Sequence, residues 1–256
     1  MPRFILRFLA PGILCAAGAF GQIGTFGQIA YGGNWQTTFT LMNLSSSSVA
    51  TVTLSFFGDD GSPLNAPILN FGATSAYTFA IPAGGAQSVV LSSGTQTTTQ
   101  GWASMSATGG TVRGQGSFRV LLPTGGISEA VVPLSFPPGS TACIVPFPPV
   151  NPVILVPFDN TAGQYITSVA FANTTANAQA YAIEFDDQSG NLLVADTLAL
   201  TPMQHMAFVT TTKYQTLLGK KGILKIQADS AKLSVLGLLS NLSGTGAITT
   251  IIPVTQ

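Results

Sequence analysis

The chain has 256 residues, 46% of them hydrophobic and only 7% charged, with a formal net charge of zero; soluble domains ordinarily carry ~25% charged residues. Disorder needs low hydrophobicity with high net charge and is argued against, and no basic excess draws in nucleic acid, Lys220-Lys221 reading as a solvated turn. With 28 Gly, 16 Pro and polarity supplied mainly by Ser, Thr, Asn and Gln, the composition is that of an exported β-rich protein. Its length suits one large domain or two of ~100–150 residues.

Arg3 and Arg7 form a basic start, Phe8 to Phe20 is apolar, and Ala17-Gly18-Ala19 offers small residues at a cleavage site. This pattern predicts a signal peptide over residues 1–19. Pro11 breaks the apolar run, which falls short of the ~20 residues that span a bilayer, so no stable membrane insertion is expected. Leu14 before Cys15 argues against a lipoprotein signal. Cleavage leaves seven basic and nine acidic residues, and Cys143 as the one remaining cysteine. An intramolecular disulfide is then ruled out, and packing must supply the stability.

The stretch Gly32 to Leu64, "GGNWQTTFTLMNLSSSSVATVTLSFFGDDGSPL", returns at Gly163 to Leu193 as "GQYITSVAFANTTANAQAYAIEFDDQSGNLL". Trp35, Thr37, Phe39, Leu41 and Asn43 stand at a constant offset of 130 from Tyr165, Thr167, Val169, Phe171 and Asn173. One deletion later, Val52, Leu54 and Phe56 meet Tyr181, Ile183 and Phe185 at an offset of 129. Pro82 then aligns with Pro202, Trp102 with Ile223, Gly116 with Gly237, and Val131-Val132-Pro133 with Ile251-Ile252-Pro253. The matched apolar residues recur every second position, the period of a half-buried strand, with Gln36, Thr38 and Thr40 facing out. The first two strands, joined by "LSSSS" or "TTANA", are expected to form a hairpin, and the Asp-Gly turn starts the next return. Further strands are predicted around Tyr77–Ile81, Gln87–Leu91, Trp102–Ala107, Ser117–Leu122 and Glu129–Leu134. About seven strands per copy predict an all-β chain of two tandem Ig-like antiparallel sandwiches. The boundaries are 1–19 signal peptide, 20–136 first domain, 137–152 Pro-rich linker and 153–256 second domain. The linker carries six prolines from Phe136 to Pro152, which favour extended spacing.

The order Gly-Gly-x-Trp-x-Thr-x-x-x-Leu-x-Asn from Gly32, followed by Asp60-Gly61-x-Pro63-Leu64, resembles the Ig-like β-sandwich repeats of secreted bacterial proteins of mostly uncharacterised function. The resemblance covers Phe26 to Leu134 well and Val156 to Val254 loosely: Tyr165 replaces Trp35, and the second turn lacks the proline. It implies fold and export, and carries over no catalytic residue.

His205 is the only histidine, and no Gly-x-Ser-x-Gly elbow accompanies it, so no catalytic residue is assigned. Glu129 and Glu184 are the only glutamates, and the acidic pairs Asp59-Asp60 and Asp186-Asp187 lack EF-hand spacing and read as turns. No metal or cofactor is predicted. The sequons at Asn43, Asn173 and Asn241 read as strand-end geometry as readily as glycosylation sites. Trp35, Tyr165 and Trp102 could form a sugar-stacking platform, but Trp35 and Tyr165 stand in phase with core residues, and Ile223 replaces Trp102. The expectation is a non-enzymatic secreted or cell-surface structural or adhesive protein, with the periplasm as the other compartment. Its partner is a protein or glycan, and lysine-free strand edges in the first copy favour self-association. A carbohydrate-binding module is the alternative. A pilus-type periplasmic chaperone is third, because Arg113 and Arg119 are the only mature basic residues of the first copy.

Overall fold

A computed structural model describes residues 21–122, 125–137, 152–228, 231–243 and 246–256. The signal peptide, residues 138–151 of the linker, Cys15 and Cys143 lie outside the described residues. The first half of the chain forms β1 (Gln22–Tyr31), β2 (Trp35–Asn43), β3 (Ala50–Gly58), β4 (Ala66–Ile68) and β5 (Gly72–Thr74), then β6 (Ala76–Ile81), β7 (Ala86–Leu91), β8 (Thr99–Thr108), β9 (Val112–Leu121) and β10 (Ile127–Pro133). The second half forms β11 (Val153–Asp159), β12 (Tyr165–Asn173), β13 (Gln179–Asp187), β14 (Leu192–Leu200) and β15 (His205–Val209). After a helical turn, α1 (Thr210–Lys213), come β16 (Lys221–Gln227), β17 (Leu233–Asn241), β18 (Ile248–Ile251) and β19 (Val254–Thr255). No helix among the described residues is long and apolar enough to cross a membrane.

The strands pair antiparallel in four sheets, ordered β1-β8-β3-β6, β10-β9-β2-β7-β4-β5, β14-β13-β16-β11-β19 and β15-β12-β17-β18. Among the described residues every strand pair joins strands of one half. Reading β11, β12, β13 and β14 for β1, β2, β3 and β6, and β15 to β18 for β7 to β10, the second half repeats the strand order of the first. Each pair of sheets closes over its own apolar core. Phe26, Phe39, Leu54, Phe56 and Met105 are fully buried in one, and Val156, Phe171, Phe185, Leu224 and Ile226 in the other. The fold is an all-β sandwich, as the period-2 pattern predicts.

Two details of the predicted pairing are corrected. The strands flanking "LSSSS" and "TTANA" do not form hairpins: β2 pairs with β7 and β9, whereas β3 pairs with β6 and β8, in the opposite sheet. The chain arches across the core instead, because both strands must bury their apolar side chains and the core lies between them. In addition, the later part of the alignment moves by one residue. Val132 lies opposite Gly116 and Ile251 opposite Gly237, so Ile251 corresponds to Val132 rather than Val131. The Asp-Gly return is a hairpin in the second half, where β13 pairs with β14. In the first half the chain detours through β4 and β5 before β6 pairs with β3.

The sequon asparagines hold the arches. Asn43, 1% exposed, donates its Nδ2 to the carbonyls of Ser48 (2.7 Å), Ile81 (3.1 Å) and Pro82 (3.2 Å), and its Oδ1 accepts from the Ser45 amide. Asn173, fully buried, donates to Asn177 and Thr201 at 2.8 Å each and accepts from Thr175. The matching bonds make Thr201, not Pro202, the counterpart of Pro82. A second repeated device joins the facing sheets. The hydroxyl of buried Thr37 accepts from the Ala30 amide and donates to the Ala30 carbonyl, and Thr167 does the same with Asp159. Buried polar groups with all bonds made specify a unique geometry, and removing one partner exposes the cost.

Asn43→Ala and Asn173→Ala should each destabilise the protein by about 2–4 kcal/mol, since several buried carbonyls and amides lose their partner at once. Urea denaturation measures this; a change within experimental error in either variant would show that the arch does not depend on its asparagine. The turn carboxylates predict a pH effect. Hydrogen bonds to Ser62 hold the Asp60 carboxyl below the usual carboxylate range, and hydrogen bonds to Asn191 do so for Asp187. Their stabilisation is present above the ordinary carboxylate pKa and is lost as pH falls through the lowered native values. Both groups lie at the surface, Asp60 exposed and Asp187 half-buried, so acid titration of the thermal midpoint should show a shallow decline that Asp187→Asn reduces.

Candidate functional site

The two halves meet along a surface built on one departure from strand alternation. The outer face of the β15-β12-β17-β18 sheet carries Ile166, Ala170, Ala172, Leu236 and Leu238. The corresponding β2 positions of the first half are Gln36, Thr40 and Met42, the last two exposed. Ala170 and Leu236, 3% and 1% exposed, join the core of the first half, with Leu238 and Ile248 packed against it. β1 lies against β12 and β17 and is buried on both faces from Phe26 to Tyr31. Between Phe26 and Ile29 the β1–β8 register shifts, a bulge at Gly27-Gln28. A Cβ on Gly27 would lie 2.7 Å from the Ser234 hydroxyl, so only glycine allows this approach without movement. The bulge re-aims Gln28 toward the second half.

There Gln28 meets His205. The imidazole is 1% exposed, with Nδ1 2.7 Å from Asp59 Oδ1 and Nε2 2.8 Å from Gln28 Oε1. Gln28 Nε2 donates to the Ile29 carbonyl and to Gln100 Oε1, which leaves its Oε1 to accept. Both nitrogens are thereby engaged in contacts that join the halves. Beside it, the turn before β15 docks on the first half. The Trp102 indole N–H donates to the Met203 carbonyl at 2.8 Å. Met203 holds φ 57°, where the first half has Gly84 at φ 66°. Gly61 closes the contact from the other side: its φ is +83°, and a Cβ there would lie 2.2 Å from the Pro202 carbonyl.

Trp102 is buried, as its replacement by Ile223 suggests, but by this junction rather than by the sandwich core. It stacks on Phe57 at 4.6 Å on the outer face of its sheet, and its counterpart Ile223 is 41% exposed. Trp35 and Tyr165 stand in core phase but are only half-buried, at the strand starts. Trp35 packs on Phe118, ring centroids 5.5 Å apart, and borders a cleft of about 350 Å³ between the halves. Gln28, Gln100, Ser168, Ala207 and Ser240 also line that cleft. Neither Arg113 nor Arg119 lines it: Arg113 lies over the Phe136 ring at 4.5 Å, and exposed Arg119 faces Glu129 across β9 and β10.

The remaining candidates are held locally. Asp60 Oδ1 accepts from the Ser62 amide and hydroxyl, Asp187 from Ser189 and Asn191, and Asp186 pairs with Lys225. Asn241 accepts from Ser243. Among the described residues no group of three or more His, Cys, Asp or Glu could hold a metal ion. Sequence reasoning missed the junction; its signal was the loss of alternation in Phe26–Tyr31 and Ile166–Ala172, where both faces are apolar or small. No protein-family model matches the chain, and no curated protein matches it either, so its function is read from geometry.

Loss of His205 and loss of Asp59 should separate in size. His205→Ala leaves Gln28 with an unpaired buried acceptor and opens a cavity, a cost of about 2–3 kcal/mol. Asp59→Asn keeps the ring in place, and the Asp59 side chain is 65% exposed, so about 1 kcal/mol or less is expected. Chemical denaturation of both variants compares them; equal costs would refute the junction role of the ring.

Proposed function

We propose that the chain is a secreted or cell-surface, non-enzymatic interaction protein. In this reading a leader over residues 1–19 is removed and two tandem Ig-like domains, 20–136 and 153–256, act as one unit. Its binding element is the free edge of β6. The observation that carries this is the treatment of the sheet edges. An unpaired strand edge is a template for another strand unless it is covered, short or charged.

The β10 edge is covered by β18, where the Ile248 amide donates to the Ser128 hydroxyl at 2.8 Å and the Thr250 hydroxyl to the Val131 carbonyl. β1 is covered by β12 and β17, and β15 lies beside β8. β5 and β19 have three and two residues. β14 is blunted at its centre: Asp196 takes the Thr197 amide at 2.7 Å and the Tyr214 hydroxyl at 2.6 Å, with Lys213 at 3.9 Å. β6 has six uncharged residues and pairs only with β3; the Thr74 hydroxyl accepts from the Ala76 amide and donates to the Ala76 carbonyl at its start, and Thr78 and Ala80 are exposed beyond it. Two β6 strands meeting antiparallel about a twofold axis would oppose no charges, which favours a second copy as partner. A chaperone reading asks for basic side chains in the cleft between the halves, and its lining carries none.

The test uses the whole mature chain, because a separated second half would expose Leu236 and Ala170 and associate for that reason alone. Sedimentation velocity over a range of concentrations should show reversible self-association that Ala80→Lys weakens about tenfold or more, with an unchanged thermal midpoint. A wild-type chain that stays monomeric throughout, or association indifferent to Ala80→Lys, would overturn the reading.

A further inference from the structure

The cleft between the halves is separate from the β6 edge, and its chemistry specifies an occupant of its own. About 350 Å³ places it at the lower end of the ~300–1,000 Å³ range of small-molecule sites, which favour junctions between domains. No Asp, Glu, Lys, Arg or His lines it. A phosphate, carboxylate or cation would find no counter-charge in the lining itself, which disfavours a charged occupant.

The lining is nonetheless not simply apolar. Ser168 on β12 and Ser240 on β17 stand on the same outer face of their sheet, and among the described residues their hydroxyls bond no protein group. Gln100 offers its amide from β8; its Oε1 is turned to Gln28, and among the described residues its Nε2 bonds no protein group. Half-buried Trp35 lines the same cleft. A purely apolar occupant would cover these hydroxyls and the amide and leave them unpaired, at about 1–3 kcal/mol each. An occupant with hydroxyls around a ring that also presents a C–H face satisfies both sets. It can donate to and accept from Ser168, Ser240 and Gln100 while its apolar face lies on Trp35.

We infer that the cleft binds a neutral sugar ring, one hexose-sized unit, through Trp35, Gln100, Ser168 and Ser240. The polar chain Asp59–His205–Gln28–Gln100 runs from the surface turn to this cleft and fixes Gln100 at its wall. The cleft is open to solvent, so a free monosaccharide and the terminal unit of a longer glycan present the same chemistry to it.

The chain has two tryptophans, one half-buried beside the cleft and one buried beneath Met203, and their indole N–H resonances act as site probe and internal control. Titration of the full mature chain with D-glucose, D-galactose and N-acetyl-D-glucosamine should move the Trp35 resonance saturably and leave that of Trp102 in place. Ser168→Leu, which fills the cleft and removes a hydroxyl, should weaken binding about tenfold or more without changing the thermal midpoint. A cellotetraose or chitotetraose arm that binds about tenfold more tightly than its monomer identifies a glycan end as the occupant; equal affinity identifies the free sugar. No saturable shift with any of these sugars up to roughly 100 mM would overturn the inference. So would cyclohexanol binding as tightly as the sugars, glucose 6-phosphate displacing them, or Ser168→Leu binding unchanged. These readouts are independent of self-association through β6.

Discussion

The outer face of the β15-β12-β17-β18 sheet must be kept from water, and much of the remaining architecture depends on how that is done. Ile166, Ala170, Leu236 and Leu238 stand where an isolated sandwich would carry polar side chains. Burying a leucine stabilises by about 1.5–3 kcal/mol relative to leaving it exposed. β1 supplies the cover, and the bulge at Gly27 lets its backbone approach Ser234 closely enough to do so. The first core therefore continues into the second half through Ala170 and Leu236 instead of ending at a solvent-filled gap.

Once that face is covered, the neighbouring contacts have fixed positions. The turn through Met203 comes to rest under the Trp102 indole, His205 falls between Gln28 and Asp59, and the β10 and β18 edges lie side by side. The two sheets do not lie flush everywhere. Where Gln28, Gln100 and Trp35 meet Ser168 and Ser240 the surfaces part and leave the cleft. The apolar contact supplies most of the favourable free energy. The polar contacts set the relative orientation, because a buried donor or acceptor tolerates little misalignment before its bond is lost.

The two halves share one strand order but differ where they face each other. The arch asparagines and the sheet-bridging threonines are retained in both, with nearly the same partners, since each satisfies backbone groups that burial would otherwise orphan. The solvent-facing positions were free to diverge. Gln36 and Thr40 of one copy correspond to Ile166 and Ala170 of the other, and a glycine turn at Gly84 corresponds to Met203 in the left-handed region. Ala170 and Met203, at two of these positions, lie in the junction, and Ala170 also lines the cleft.

Sequence alone carries the strand class, the side of each strand that faces a core, the internal similarity of the two halves and the candidate turn carboxylates. Side-chain alternation and Asp-Gly turns are local properties, and Phe39, Leu41, Val52, Leu54 and Phe56 are buried as their spacing requires. It did not determine which strands are neighbours, and a hairpin was expected where the chain arches between sheets. Period 2 states which face is buried and is silent about which edge is paired. Long-range packing sets the rest: Trp102 is buried by the other half, Trp35 stands at a cleft, and His205 is held by Asp59 and Gln28, residues 146 and 177 positions away. Contacts at that separation arise from the docking of two finished surfaces, and the pattern that prepares for docking, apolar residues on both faces of one strand, names the surface to be covered without naming what covers it.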